Sequence, residues 1–147
     1  AEQVDKAVAQ GATLVAGGER ADIDTGKRYF GQPTVFADVT PEMTIAREEI
    51  FGPVLAAIEF ADLDEAIAKA NDTQYGLAAG VWTRDIKKAH HVARKLQAGT
   101  VWINTYNVYD TAAPFGGYKQ SGNGREYGKY GLYDCLELKS ISGFRPS

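Results

Sequence analysis

The chain is short of cysteine, of methionine, of charge of one sign and of long apolar runs. One cysteine in 147 residues excludes a disulfide framework and a zinc site built from thiolates, and Cys135 points to a reducing compartment. The longest apolar stretches, such as Val54 to Ile58, are far too short to cross a bilayer, and the first residues lack the basic-then-apolar order of a secretory signal. Sixteen Lys and Arg against 19 Asp and Glu give a net charge of -3 with both signs interspersed, so there is no electrostatic footprint for nucleic acid. The expected location is the cytosol, with no membrane and no nucleic-acid partner, and the glycosylation pattern at Asn71-Asp72-Thr73 is then a chance match. Ala1 opens directly into a helical pattern and Met43 is the single methionine. The expectation is a cut made inside a longer protein.

What is present is the composition of a globular domain, 44% hydrophobic and 24% charged, neither disordered nor collagen-like. Folded alone, a chain of this length buries roughly 70% of the surface its unfolded form exposes. Val4, Ala7 and Val8 form a helical stripe stopped by Gly11. A Gly17-Gly18 turn and a polar loop through Lys27-Arg28 lead to a short strand at Thr34 to Phe36, bracketed by Pro33 and Pro41. Val54 to Phe60 reads as a strand covered on both faces. Asp62 caps a helix whose stripe is Leu63, Ala66, Ile67 and Ala70, with Glu65 at the capping-box position. Leu77 to Thr83 is strand-like, Asp85 caps a second helix ended by Gly99, and Thr100 to Asn104 is a third strand. Strand, helix, strand, helix, strand predicts an α/β fold, a parallel sheet of βαβ units flanked by helices. A glycine- and tyrosine-rich loop from Tyr106 to Gly124, a short helix from Glu126 to Tyr133 and an exposed edge strand at Leu136 to Ile141 complete the reading. Ligands in such sheets collect at the carboxyl ends of the strands, which points to the loop before Pro53 and the loop after Asn104.

Residue types alone leave each candidate open. In Arg47-Glu48-Glu49-Ile50-Phe51-Gly52-Pro53 a carboxylate suits a ribose diol and an aromatic face suits a planar ring, yet the same stretch reads as a solvated acidic turn. Gly117 and Gly122 stand at P-loop spacing, but Asn123 replaces the lysine, and Tyr127 sits where a dinucleotide fingerprint needs its third glycine. Cys135 is a permissible nucleophile or a small buried hydrophobe. His90 and His91 have no second ligand at helical spacing, and no metal is expected. Six of the eight tyrosines follow Thr105. The crowd of Tyr106, Tyr109, Phe115 and Tyr118 lines a ligand funnel, an interface or a satellite core.

Four motifs taken together resemble the aldehyde dehydrogenase superfamily: Glu48-Glu49-Ile50-Phe51-Gly52-Pro53-Val54; Asn71-Asp72 followed by Tyr75-Gly76-Leu77; Gly99-Thr100-Val101-Trp102-Ile103-Asn104; and Pro114-Phe115-Gly116-Gly117-Tyr118-Lys119-Gln120-Ser121-Gly122. The likeness runs from Ala1 to about Ser142 and covers only the C-terminal third or so of a family member. Such enzymes oxidise an aldehyde by thiolate attack, hydride transfer to NAD(P)+ and hydrolysis of the thioester. The resemblance implies that residues 1–134 are part of the catalytic domain and 135–147 the oligomerisation strand and tail, and that the nucleophilic cysteine, its glutamate and the nucleotide-binding sheet lie upstream, so that this chain alone is inactive.

By position in the matching motifs, Glu49 resembles the carboxylate that grips the nicotinamide ribose and Phe51 the aromatic beside the nicotinamide of NAD or NADP. Tyr109 and Phe115 fall where the family lines the aldehyde funnel, with Asn107 at its mouth. Members specific for trimethylammonium aldehydes tend to carry tryptophan where this chain has Phe115, a better cation–π surface, so a general aliphatic or aromatic aldehyde is expected. Glu126 resembles a carboxylate that helps proton movement, or is a helix-start acid favoured by the dipole. Leu136 to Ile141 resembles the strand through which family subunits pair, implying a homo-oligomer, dimer or tetramer in the parent enzyme. The alternative is a non-catalytic truncated product or association module; a stand-alone nucleotide-binding module would have to bind NAD unaided.

Overall fold

Helix α1 (Glu2–Ala9) stops as its pattern predicts: Gly11 takes φ +99°, and its N–H donates to the Val8 carbonyl at 3.0 Å. The computed structural model describes residues 2–21 and 30–143, so the expected Lys27-Arg28 loop lies outside the described residues. The chain divides into two units, before and after the Thr73–Gln74 bond.

The first unit carries β1 (Thr13–Ala16), β2 (Thr34–Ala37), α2 (Thr44–Arg47), β3 (Val54–Ala56) and α3 (Leu63–Asn71). Strand β2 pairs antiparallel with β1 and parallel with β3, in the register Thr34–Val54 and Phe36–Ala56. Phe36 is fully buried among Ala7, Ala12, Val39, Met43 and Ile45. At α3 the Asp62 carboxylate accepts from Glu65 N–H at 2.9 Å, while Glu65 reaches back to Ala61 N–H at 2.6 Å and forms an ion pair with Lys69 at 2.8 Å.

The second unit carries β4 (Ala78–Val81), α4 (Ile86–Lys95), β5 (Thr100–Ile103), a 3-10 turn (Lys119–Ser121) and α5 (Gly128–Tyr133). Strands β4 and β5 run parallel from Ala78–Thr100 to Val81–Ile103. Parallel neighbours need a crossover, and α4 supplies it, its first turn capped by Asp85, which accepts from Lys87 and Lys88 N–H.

The α/β class and its parallel pairing hold, with three corrections. Among the described residues β3 pairs with β2 in the first unit and β4 with β5 in the second. Strand β3 is three residues long and Leu55 is 60% exposed, so it is not covered on both faces in this chain. The loop before Pro53 enters at the amino ends of β2 and β3, where Thr34 N–H donates to the Pro53 carbonyl at 2.8 Å, and not at a carboxyl end. Leu136 to Ile141 forms no ladder among the described residues, since an edge strand exists only when a second strand supplies its hydrogen bonds.

Candidate functional site

The first candidate loop is pinned at both ends. Upstream, α2 has no side-chain cap of its own at Met43; the side chain of Gln10 serves instead, accepting from Thr44 N–H at 2.9 Å and donating to the Thr44 hydroxyl at 3.1 Å. Arg47 ends α2 by gripping Asp72 twice, at 2.8 Å to the carboxylate and 3.2 Å to the backbone carbonyl. The Asp72 carboxylate holds the Arg47 guanidinium more firmly protonated than an isolated one. Glu48 accepts from Gln3 at 3.3 Å, and Ile50 packs against the buried core. Between these anchors Glu49 is exposed and Phe51 stands 96% exposed, a bare ring beside the inward-turned Ile50. Both residues lie outside the cleft of about 400 Å³ bordered by Val4, Arg20, Phe30, Pro53 and Val54.

The second candidate loop leaves the carboxyl end of β5. Asn104 turns it with a left-handed φ of +52°, and its side-chain amide pairs with the Thr83 backbone in both directions: Nδ2 donates to the carbonyl and Oδ1 accepts from the N–H, each at 2.8 Å. The loop then folds back on Trp102, whose indole N–H donates to the Val108 carbonyl at 2.8 Å. Tyr106 and Tyr109 meet the indole edge-on at centroid separations of 5.0 and 5.8 Å, and Tyr109 meets Phe115 edge-on at 5.0 Å. The Tyr109 hydroxyl donates to Asn107 Oδ1 at 2.7 Å. The structure thus brings Asn107, Tyr109 and Phe115 into one connected cluster.

The glycine-rich stretch that follows is tightly packed at Gly116 and Gly117, while Gly122 and Gly124 are exposed. A Cβ on Gly99 would strike the Gly116 carbonyl, so this glycine serves close approach of the chain to itself and not the end of α4, which stops at Lys95. Gly76 donates to the Ser121 hydroxyl at 3.0 Å, and its carbonyl accepts from Tyr118 at 2.8 Å. Arg125 closes the stretch, donating to the Gly117 and Gly124 carbonyls at 2.9 and 2.8 Å. Glu126 is exposed and borders a cleft of about 300 Å³ with Leu77, Phe115, Ser121, Arg125 and Asp134. It lies two residues ahead of α5, because Tyr127 adopts φ +62° and delays the helix to Gly128, so Glu126 is not a first-turn acid.

Cys135 is exposed, which removes the buried reading. His90 and His91 lie on exposed surface of α4, and among the described residues no group of three or more His, Cys, Asp or Glu could hold a metal ion. No described helix is long and apolar enough to cross a membrane. Sequence reasoning missed Trp102, Asn104 and Arg125. A tryptophan two residues before an asparagine at a strand end was the available signal, since Asn tolerates the left-handed region better than most residues.

Known proteins share this frame. The sequence profile of the aldehyde dehydrogenase family matches residues 1–141, and the chain belongs to that family. It is 54% identical over 138 residues to a betaine aldehyde dehydrogenase of Rhizobium etli, covering 94% of this chain and 28% of that protein. Among solved structures, an aldehyde dehydrogenase of Bacillus cereus in complex with NAD+ is 56% identical with a TM-score of 0.89, over 95% of this chain and 28% of that one. An indole-3-acetaldehyde dehydrogenase of Pseudomonas syringae, solved with NAD+, is 48% identical with a TM-score of 0.90, again over 95% and 28%. The chain therefore spans just over a quarter of the length of the relatives it matches.

Proposed function

We propose that this chain is the C-terminal part of the catalytic domain of an NAD(P)-dependent aldehyde dehydrogenase that converts an aldehyde to a carboxylic acid, and that it is inactive by itself. The observation that carries the reading is the family match over residues 1–141 by a chain spanning 28% of its relatives. The nucleophilic cysteine and the nucleotide-binding sheet belong to the remainder. Cys135, after α5 and outside the matching motifs, is not that nucleophile.

The residues present fit a nicotinamide dinucleotide. A carboxylate at Glu49 accepts two hydroxyl donors from one ribose, and the bare face of Phe51 offers apolar area to a planar ring. When bound, the cofactor supplies a hydride acceptor. Glu49 and Phe51 fix its orientation, and Ile50 and the Arg47–Asp72 clamp fix theirs; such positioning is worth several kcal/mol of barrier. Asn107, Tyr109 and Phe115 shape the aldehyde side, for an aliphatic or aromatic aldehyde, and Glu126 helps proton movement. The matched relatives bear names for betaine aldehyde and indole-3-acetaldehyde, both within reach of an aromatic wall. The proposed setting is the cytosol.

Leu136 to Ile141 would pair with a second subunit. Leu138 and Ile141 are 99% and 86% exposed, an apolar segment with unmade ladder bonds, and the same feature favours the second reading, a non-catalytic association module. The test is oxidation of acetaldehyde and benzaldehyde with NAD+ or NADP+ by the longer protein that contains this chain, beside the 147-residue chain alone. Reduced cofactor forming with the longer protein only supports the proposal. Turnover by the short chain, or none by the long one, contradicts it.

A further inference from the structure

Trp102 faces the loop from the sheet side, 8% exposed, with its indole N–H committed to the Val108 carbonyl, immediately before Tyr109. Tyr109 is in edge contact with Trp102 on one side and Phe115 on the other, and its hydroxyl is tied to Asn107. Three rings therefore stand in series, anchored through Trp102 on β5, a strand that is itself held by the β4 ladder. Tyr109 is 48% exposed, so the surface it presents owes its direction to these few contacts and not to burial. Withdrawing the indole donor removes a hydrogen bond that ties down the Val108 carbonyl and leaves the adjacent Tyr109 freer to turn.

We infer that Trp102 is a positioning residue that sets selectivity between bulky and slender aldehydes, by fixing Tyr109 and, through it, Phe115. This rests on the reading of that loop as the aldehyde wall. A slender aldehyde touches little of such a wall and is indifferent to its order. A bulky one is held by it, and loses affinity when the rings are free to move.

The test replaces the Trp102 indole by its benzothiophene isostere in the complete enzyme, which removes the N–H and keeps the shape, with Trp102→Phe as a second variant. The expected result is a fall of about threefold to tenfold in the kcat/KM ratio of benzaldehyde to acetaldehyde, carried by KM, with acetaldehyde turnover unchanged. Backbone amide exchange over residues 104–115 rises in parallel. A purely structural role would lower both substrates in proportion. A ratio within about twofold of the parent in the isostere overturns the inference. Should the parent oxidise neither aldehyde, the wall reading itself fails; amide exchange over 104–115 then decides the rest, and exchange unchanged in both variants removes any positioning role for Trp102.

Discussion

Phe115 and Glu126 exchange both of their backbone hydrogen bonds: Phe115 N–H donates to the Glu126 carbonyl at 2.8 Å, and Glu126 N–H to the Phe115 carbonyl at 2.7 Å. This isolated antiparallel bridge closes the glycine-rich loop and holds an aromatic of the proposed wall in register with the proposed proton-handling carboxylate. Loop closure and side-chain chemistry are therefore separable at one position. Glu126→Gln keeps both backbone bonds and is expected to change unfolding free energy by less than about 0.5 kcal/mol, while Glu126→Pro deletes the donor and costs about 1–3 kcal/mol in denaturant titration. In the complete enzyme Glu126→Gln is expected to lower kcat. An unaltered kcat would assign Glu126 to loop closure alone.

Asn104 joins β5 to Thr83 by two bonds of 2.8 Å while holding φ +52°. Asn104→Gly loses the bonds and keeps the backbone easy, whereas Asn104→Ala loses both advantages. The glycine variant is expected to cost about 1–2 kcal/mol, and alanine about 1 kcal/mol more. Equal costs for the two variants would mean that the left-handed turn carries no penalty here.

Tyr127 adopts φ +62° with ψ +167°, a region that glycine enters freely and other residues do not, and its side chain is 43% exposed. Strain of this kind costs about 1–3 kcal/mol. Tyr127→Gly is therefore expected to gain about 1 kcal/mol after glycine's own entropic cost, and Tyr127→Ala to gain nothing. Thermal melts of the pair provide the check; a glycine variant no more stable than the alanine variant contradicts the strain.

The Ala61 N–H and, after it, the Lys69 ammonium hold the Glu65 carboxyl below the usual carboxylate range. A lowered native value means that its contribution is complete above the unfolded-state value and is lost as pH falls through the native one. Between about pH 6 and about pH 3, amide protection in the first turn of α3 is expected to fall, and Glu65→Gln to flatten that dependence. A pH response identical in parent and variant would place the titration elsewhere.

Local chemistry was legible in the sequence and long-range partnership was not. The caps at Asp62 and Asp85 and the β4–α4–β5 unit follow from residues within a few positions of one another. Strand β1 and helix α2, four residues each, are too short to show a period, and α2 depends on Gln10 from 34 residues away. The pairing of β3 with β2 could not be read from either strand alone. The proposed roles of Glu49 and Phe51 in one unit, and of Asn107, Tyr109, Phe115 and Glu126 in the other, rest on the family motifs, since their own types left a solvated turn or a satellite core open. Trp102 and Asn104 were not singled out, because the partner of each side chain is a backbone carbonyl that the sequence does not identify.

In the proposed function Glu49 and Phe51 orient the hydride-accepting end of the cofactor. Single-turnover hydride transfer in the complete enzyme, at saturating cofactor, tests it in Glu49→Gln and Phe51→Ala. A fall of about tenfold to hundredfold in the transfer step, with the protein folded, is the result expected. Transfer at the parental rate in both variants would contradict it.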